Sequence, residues 1–76
     1  MIKHLNIKIY GQVQGVFFRV NARKEAEKLG IKIDARNEPD GTVYIEAEGE
    51  EKDLDKLIKW CQKGPALAKV EKIEIV

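Results

Sequence analysis

The chain has 76 residues, of which 43% are hydrophobic and 36% are charged, and its formal net charge at pH 7 is +1. This length predicts one domain over residues 1–76 with a small core, and the apolar content excludes disorder. With Cys61 as its one cysteine, the chain cannot form an internal disulfide or a paired-cysteine metal or redox site, and its charge gives no bulk attraction for nucleic acid.

The first residues, MIKHLNIKIY, predict a strand. Leu5, Ile7 and Ile9 alternate with more polar neighbours, which gives the strand one buried face. This is not the continuous apolar block of a secretion signal, and no apolar run is long enough to cross a bilayer. We therefore expect a cytoplasmic protein without a membrane partner. The charged residues, mostly Lys and Glu, exceed the roughly 25% of ordinary domains and suggest a heat-adapted source.

The next periodic segment predicts a helix over about Arg19–Leu29. Apolar residues recur at helical spacing from Phe18 to Leu29, and Gly30 supplies a left-handed stop. Two strands follow. The segment IKIDARN alternates and places Ile33, Ala35 and Asn37 on one side. EPDG then predicts a turn, and TVYIEAEG alternates again, so the two strands should form an antiparallel hairpin.

The last third of the chain predicts a second helix and a final strand. Apolar residues at positions 54, 57, 58 and 61 repeat at helical spacing between an acidic start and a basic end. Pro65 prevents the helix from continuing. Ile73 and Ile75 alternate in the final strand, and Val70 is out of phase with them, so we expect a bulge or a late start of this strand.

The predicted order β-α-β-β-α-β is typical of the ferredoxin-like α+β fold. In this fold a four-stranded antiparallel sheet carries two helices on one face, and the second and fourth strands lie at its edges. The fold hosts many functions and identifies none of them.

The stretch GQVQGVFFR, residues 11–19, lies between the first strand and the first helix. Gly11 and Gly15 let a ligand approach the backbone closely, because neither residue has a Cβ. The simpler interpretation is a plain connection in which Phe17 and Phe18 pack inward and Arg19 is solvated.

Two stretches resemble the signatures of the acylphosphatase family, and they occur in the family's order. GQVQGVFFR resembles the phosphate-binding signature, and RNEPDGTV resembles the second signature. The resemblance runs from about Ile7 to Val76. The chain departs from the family pattern at Ile33 and Asp34, where the family usually has Gly-Trp, and this exchange could shift the second strand and with it Asn37.

The resemblance implies a hydrolase that splits a small acyl phosphate into a carboxylate and inorganic phosphate, without a cofactor, a metal or a covalent intermediate. Arg19 matches the family's phosphate-binding arginine, and Asn37 matches the asparagine that orients the attacking water. The backbone amides that bind the phosphoryl group would come from the loop residues Gln14, Gly15, Val16, Phe17 and Phe18.

Other functions and sites fit the sequence less well. An acylphosphatase-like module that binds phosphate or an acyl phosphate with little turnover is the main alternative. RNA binding through Tyr44 on the sheet is opposed by Glu46 and Glu48 on the same face, and metal transfer lacks a cysteine pair. We expect a monomer that does not bind nucleic acid.

Four further residues are interpreted as structural. We expect Cys61 in the core and His4 solvated near the terminus. Asp40 is expected to shape the turn, and Trp60 is expected to pack at the edge of the second helix.

Overall fold

A computed structural model describes residues 1–76, and its elements follow the predicted order. The strands and helices are β1 (Ile2–Gln12), α1 (Phe18–Leu29), β2 (Lys32–Asn37), β3 (Val43–Glu50), α2 (Glu51–Lys63) and β4 (Lys69–Ile75). The ferredoxin-like α+β fold is confirmed, and α1 begins one residue earlier than the sequence predicts. Neither helix is long and apolar enough to span a membrane.

The four strands form one antiparallel sheet in the order β2-β3-β1-β4, so β2 and β4 are the edges as expected. Ile9 of β1 and Asn37 of β2 both pair with Val43 of β3, one from each side. The end of β1, the end of β2 and the start of β3 therefore lie at the same end of the sheet. The loop before α1 and the turn between β2 and β3 are neighbours there.

The irregularity expected at Val70 is a β-bulge. Tyr10 pairs with Lys72 and Gly11 pairs with Val70, so Glu71 is the extra residue. The bulge shifts the side-chain alternation by one position, which leaves Val70 half-buried and packed against the core. Gly11 has a φ of 128°, and a Cβ there would collide with the Lys69 carbonyl oxygen. Gly11 therefore serves strand packing and not ligand approach.

The core lies between the sheet and the two helices. Its largest side chains, each at most 2% exposed, come from β1, β3, α1 and α2: Ile7, Ile9, Ile45, Phe18, Leu54 and Leu57. Phe18 meets Trp60 edge to face, with ring centroids 5.3 Å apart, a contact worth about 1 kcal/mol beyond the area it buries. Cys61 is fully buried in this core, as expected, and burial raises the pKa of its thiol to about 12.

Candidate active site

The backbone between β1 and the first turn of α1 presents a run of free amides. No N–H from Gln14 to Val20 donates a hydrogen bond to another group of the chain, and Asn21 is the first residue whose N–H reaches a helical acceptor, the Phe17 carbonyl, at 3.1 Å. The left-handed angle at Gly15, a φ of 73°, turns this loop away from regular pairing. The start of α1 therefore offers hydrogen-bond donors without acceptors.

Phe17 stands at the N-cap position of α1 in the left-handed conformation, with φ 61° and ψ 25°. It is the one non-glycine residue with a positive φ, and its exposed fraction is 67%. The expectation that both phenylalanines pack inward is therefore wrong for Phe17 and confirmed for Phe18, which is 1% exposed. The two rings point to different sides because the backbone of Phe17 is in the left-handed conformation.

Arg19 and Asn37 line one cavity of about 320 Å³, which we call the Arg19 cavity. Asn37 pairs with the buried Val43, and paired residues share a sheet face, so its side chain is on the helix side at the end of β2. Arg19 reaches the same place from the first turn of α1. The other lining residues are Val13, Gly15, Phe17, Phe18 and Val20.

The side chains of Arg19 and Asn37 both lack an interaction partner within the chain. No carboxylate lies within 4.0 Å of the Arg19 guanidinium, and neither side chain forms a hydrogen bond within the chain. By contrast, Arg36, directly before Asn37, pairs with Asp34 and Glu46 at 3.1 Å each and lies over the Tyr44 ring on the other face of the sheet. Arg19 is thus available to bind an anion, and Arg36 is not.

The side chain of Gln14 ties the loop to the β2–β3 turn. Its Nε2 donates to the Glu38 carbonyl at 2.8 Å and to the Thr42 carbonyl at 2.9 Å. These acceptors lie on either side of the turn that follows Asn37. Gln14 therefore fixes the distance between the free amides and Asn37, a role beyond the backbone amide that the sequence assigns to it.

Arg23 makes a second connection of the same kind. Its Nη2 donates to the Ala35 carbonyl at 3.2 Å, joining α1 to the edge strand two residues before Asn37. Sequence reasoning does not identify Arg23 or the Gln14 side chain, because their partners are 12 to 28 positions away along the chain.

Asp40 organises the turn itself, as expected. Its Oδ1 accepts from the N–H of Thr42 at 3.0 Å and from the Thr42 hydroxyl at 2.6 Å, and its Oδ2 pairs with Lys8 Nζ at 2.9 Å. The hydrogen bonds from Thr42, followed by the pairing with Lys8, lower the pKa of Asp40 to about 2. The turn that follows Asn37 is therefore held by local hydrogen bonds.

The remaining predicted site residues separate into two groups. Gly15, Phe17 and Phe18 line the Arg19 cavity, whereas Val16 lines a neighbouring groove and the Gln14 side chain points to the turn. Ile33 and Asp34 pair in regular register with Ala47 and Glu46, so the β2–β3 ladder is uninterrupted at these two positions.

The donors at this site suit an anion. Unpaired amides at a helix start carry partial positive charge, and a guanidinium adds a full charge in a planar fork that matches phosphate oxygens. No group of three His, Cys, Asp or Glu side chains is arranged to hold a metal ion. His4, which is solvated as expected, lies near Lys32 and Glu48 in a different hollow from the Arg19 cavity.

The chain is similar to known proteins over almost its whole length. A family model described as Acylphosphatase matches residues 5–76. A protein of Rubrobacter xylanophilus named acylphosphatase is 45% identical over 73 residues, which are 96% of this chain and 66% of that protein. The crystal structure of acylphosphatase from Bacillus subtilis superposes with a TM-score of 0.93 at 34% identity, covering 100% of this chain and 83% of that one.

A third likeness is to part of a much longer chain. Full-length HypF, in a phosphate- and nucleotide-bound form, matches with a TM-score of 0.91 at 35% identity, but the match covers 10% of its length and 100% of this chain. The family match over nearly all residues, together with these relatives, shows that the chain belongs to the acylphosphatase family of enzymes.

Proposed function

We propose that this chain hydrolyses the carboxyl-phosphate bond of small acyl phosphates, without a metal, to give a carboxylate and inorganic phosphate. Arg19 and the amides of residues 14–18 bind the phosphoryl group, and Asn37 orients the attacking water. The main support for the proposal is that the unpaired side chains of Arg19 and Asn37 meet in the Arg19 cavity beside the unpaired amides of the loop.

The phosphoryl group is the part that these donors fit. Phosphoryl transfer passes through a loose transition state that spreads negative charge over three oxygens, so catalysis depends on donors that are already in position. The amides at the start of α1 and the Arg19 fork supply such donors. The backbone geometry and the two hydrogen bonds of the Gln14 side chain, which we call the Gln14 tether, hold these donors in place. Little reorganisation is therefore needed during the reaction.

Asn37 suits the water because a carboxamide both accepts and donates hydrogen bonds. Its oxygen can accept a hydrogen bond from the water, or its NH₂ group can donate to the water oxygen, and either contact holds the nucleophile in line with the phosphorus. The departing carboxylate is stable at neutral pH, since carboxyl groups have ordinary pKa values of about 4, so the leaving group needs no general acid. No histidine is therefore required at the site.

The direct test is hydrolysis of benzoyl phosphate, followed by absorbance in the presence of a chelator. We expect chelator-resistant turnover that is lost in Arg19→Ala, while Arg36→Lys, on the opposite sheet face, keeps the parent rate. A rate abolished by the chelator would contradict metal independence. A rate unaffected by Arg19→Ala would remove Arg19 from the site.

A second function is favoured by the likeness to one tenth of HypF, which is described as phosphate- and nucleotide-bound. In this alternative the chain binds phosphate or an acyl phosphate and turns it over poorly. Saturable binding of inorganic phosphate, without hydrolysis of benzoyl phosphate above the Arg19→Ala background, would support the binding module over the enzyme.

A further inference from the structure

A groove of about 520 Å³ lies beside the Arg19 cavity and is larger than it. We call it the Leu67 groove. It lies between α1, α2 and the turn that follows α2, and its volume is within the range of small-molecule sites. Its apolar lining comes from Val16, Phe17, Trp60, Pro65, Ala66 and Leu67.

Phe17 connects the two hollows, because it alone lines both the Leu67 groove and the Arg19 cavity. Its ring is 67% exposed although it is a large apolar side chain, and its backbone holds a left-handed angle that non-glycine residues adopt at a cost. The fold thus holds an aromatic ring at the boundary between the free amides and the groove.

The chemistry of the reaction sets the direction in which the acyl part must leave. In-line displacement puts the attacking water and the leaving oxygen on opposite sides of the phosphorus. Asn37 and Arg19 both line the Arg19 cavity, and neither of them lines the Leu67 groove. An acyl group directed away from Asn37 and across Phe17 would enter the groove.

We propose that the Leu67 groove is the subsite for the acyl part of the substrate and that it takes a bulky apolar group, such as an aromatic ring. This inference rests on the proposed hydrolysis of acyl phosphates and adds the class of substrate. An acetyl group has one carbon beyond its carbonyl and buries little area against the groove, whereas a phenyl ring buries far more.

The charges around the groove are compatible with this occupant. Lys24 and Lys28 line the groove together with a single carboxylate, Glu25. The two ammonium groups favour a molecule whose phosphoryl end is anionic, while the apolar side chains accept the uncharged end. Leu67 is 67% exposed in a turn, so it is free to contact a ligand and can be replaced without disturbing the core.

The test compares benzoyl phosphate with acetyl phosphate in Leu67→Asn, a change that keeps the side-chain size and removes its apolar character. We expect kcat/KM for benzoyl phosphate to fall by roughly fivefold, with kcat/KM for acetyl phosphate unchanged, because the lost contact is apolar burial. Leu67→Ala should shift the ratio of the two substrates in the same direction. Ile2→Asn, at an exposed apolar position at the far end of β1, is the matched control.

The outcomes separate this inference from the proposed function. A substrate ratio equal in the parent and in both Leu67 variants, with acetyl phosphate still hydrolysed, overturns the acyl subsite and leaves the hydrolysis intact. A parent protein that hydrolyses neither substrate overturns the proposed function and this inference with it. A parallel loss for both substrates in Leu67→Asn also overturns the subsite, because Leu67 would then act on the phosphoryl end.

Discussion

The two helices begin in opposite electrostatic settings. At the start of α1 the cap residue is Phe17, no side chain caps the helix, the first turn has no acidic residue, and Arg19 adds a positive charge. At the start of α2 the first turn contains Glu51 and Asp53. Nearby, the N-terminal ammonium pairs with Glu50 at 2.9 Å and Lys3 pairs with Glu51 at 3.2 Å.

The difference shows how a small fold prepares one site. Both helix starts carry a partial positive charge from their peptide dipoles. The carboxylates of α2 offset that charge within the chain, whereas α1 leaves it uncompensated and adds a guanidinium to it. The same secondary structure is therefore neutralised at one end of the sheet and open to an anion at the other.

A substitution that keeps the positive charge of Arg19 but changes the shape of the side chain should have the largest effect. We expect Arg19→Lys to lower kcat/KM for benzoyl phosphate by about 10²- to 10³-fold, because lysine keeps the charge but cannot donate two parallel hydrogen bonds. Circular dichroism and the melting midpoint should match the parent, since Arg19 has no partner within the chain. A rate within a few-fold of the parent would contradict the role given to the guanidinium.

Asn37→Ala separates water orientation from phosphate binding. The expected result is a fall in kcat of about 10²-fold, since misplacing a reacting group by a small distance has effects of this size. The inhibition constant of inorganic phosphate should change little, because the amides and Arg19 remain. Loss of phosphate inhibition together with kcat would instead make Asn37 a phosphate ligand.

Cutting the Gln14 tether should reduce both activity and stability. Gln14→Met removes two donors at nearly constant size, and a typical hydrogen bond contributes about 1 kcal/mol to the free energy of unfolding. In a domain of this length the melting midpoint should fall by about 4–8 °C per kcal/mol. We expect kcat/KM to fall by roughly tenfold because the loop and Asn37 lose their fixed spacing.

Gln62→Met, on the exposed surface of α2, is the control for that change. It should leave both the melting midpoint and kcat/KM at the parent values. If Gln14→Met lowered the melting midpoint and left kcat/KM unchanged, the tether would stabilise the fold without positioning the site.

The smallest effect is expected when the pH is lowered far enough to protonate Asp40 in the turn between β2 and β3. The pKa of Asp40 is lowered from 3.8 to about 2 in the folded protein, so its ionised form contributes stability above pH 3.8 that is lost as the pH falls towards 2. Asp40→Asn should therefore be less stable than the parent at about pH 5, with the gap closing by about pH 2. Urea midpoints at several pH values measure this gap, and a gap independent of pH would contradict the role given to the carboxylate.

The sequence predicts the framework because its signals are local. Strict alternation around Ile7 and Ile9 and helical spacing after Phe18 each specify an element and its buried face, and Val70, out of phase, correctly marks a bulge. The GQVQGVFFR and RNEPDGTV stretches resemble a known family, and the fold brings Arg19 and Asn37 to one cavity.

Several features of the site could not be predicted from the sequence, because they depend on long-range contacts or on single backbone angles. The outward turn of Phe17 follows from one left-handed residue, and the partners of Gln14 are 24 and 28 positions away. The Leu67 groove exists only after α1, α2 and the turn that contains Leu67 are packed together. Periodicity carries no signal for any of these features.

The anion site at the start of α1 is tested most directly by titrating ¹⁵N-labelled protein with inorganic phosphate and following the chemical shifts of the backbone amides. We expect saturable shifts for residues 14–20 and none at the start of α2, and we expect Arg19→Ala to abolish them. Equal shifts at both helix starts, or saturable shifts confined to residues outside the Arg19 cavity, would contradict an anion site at this helix start.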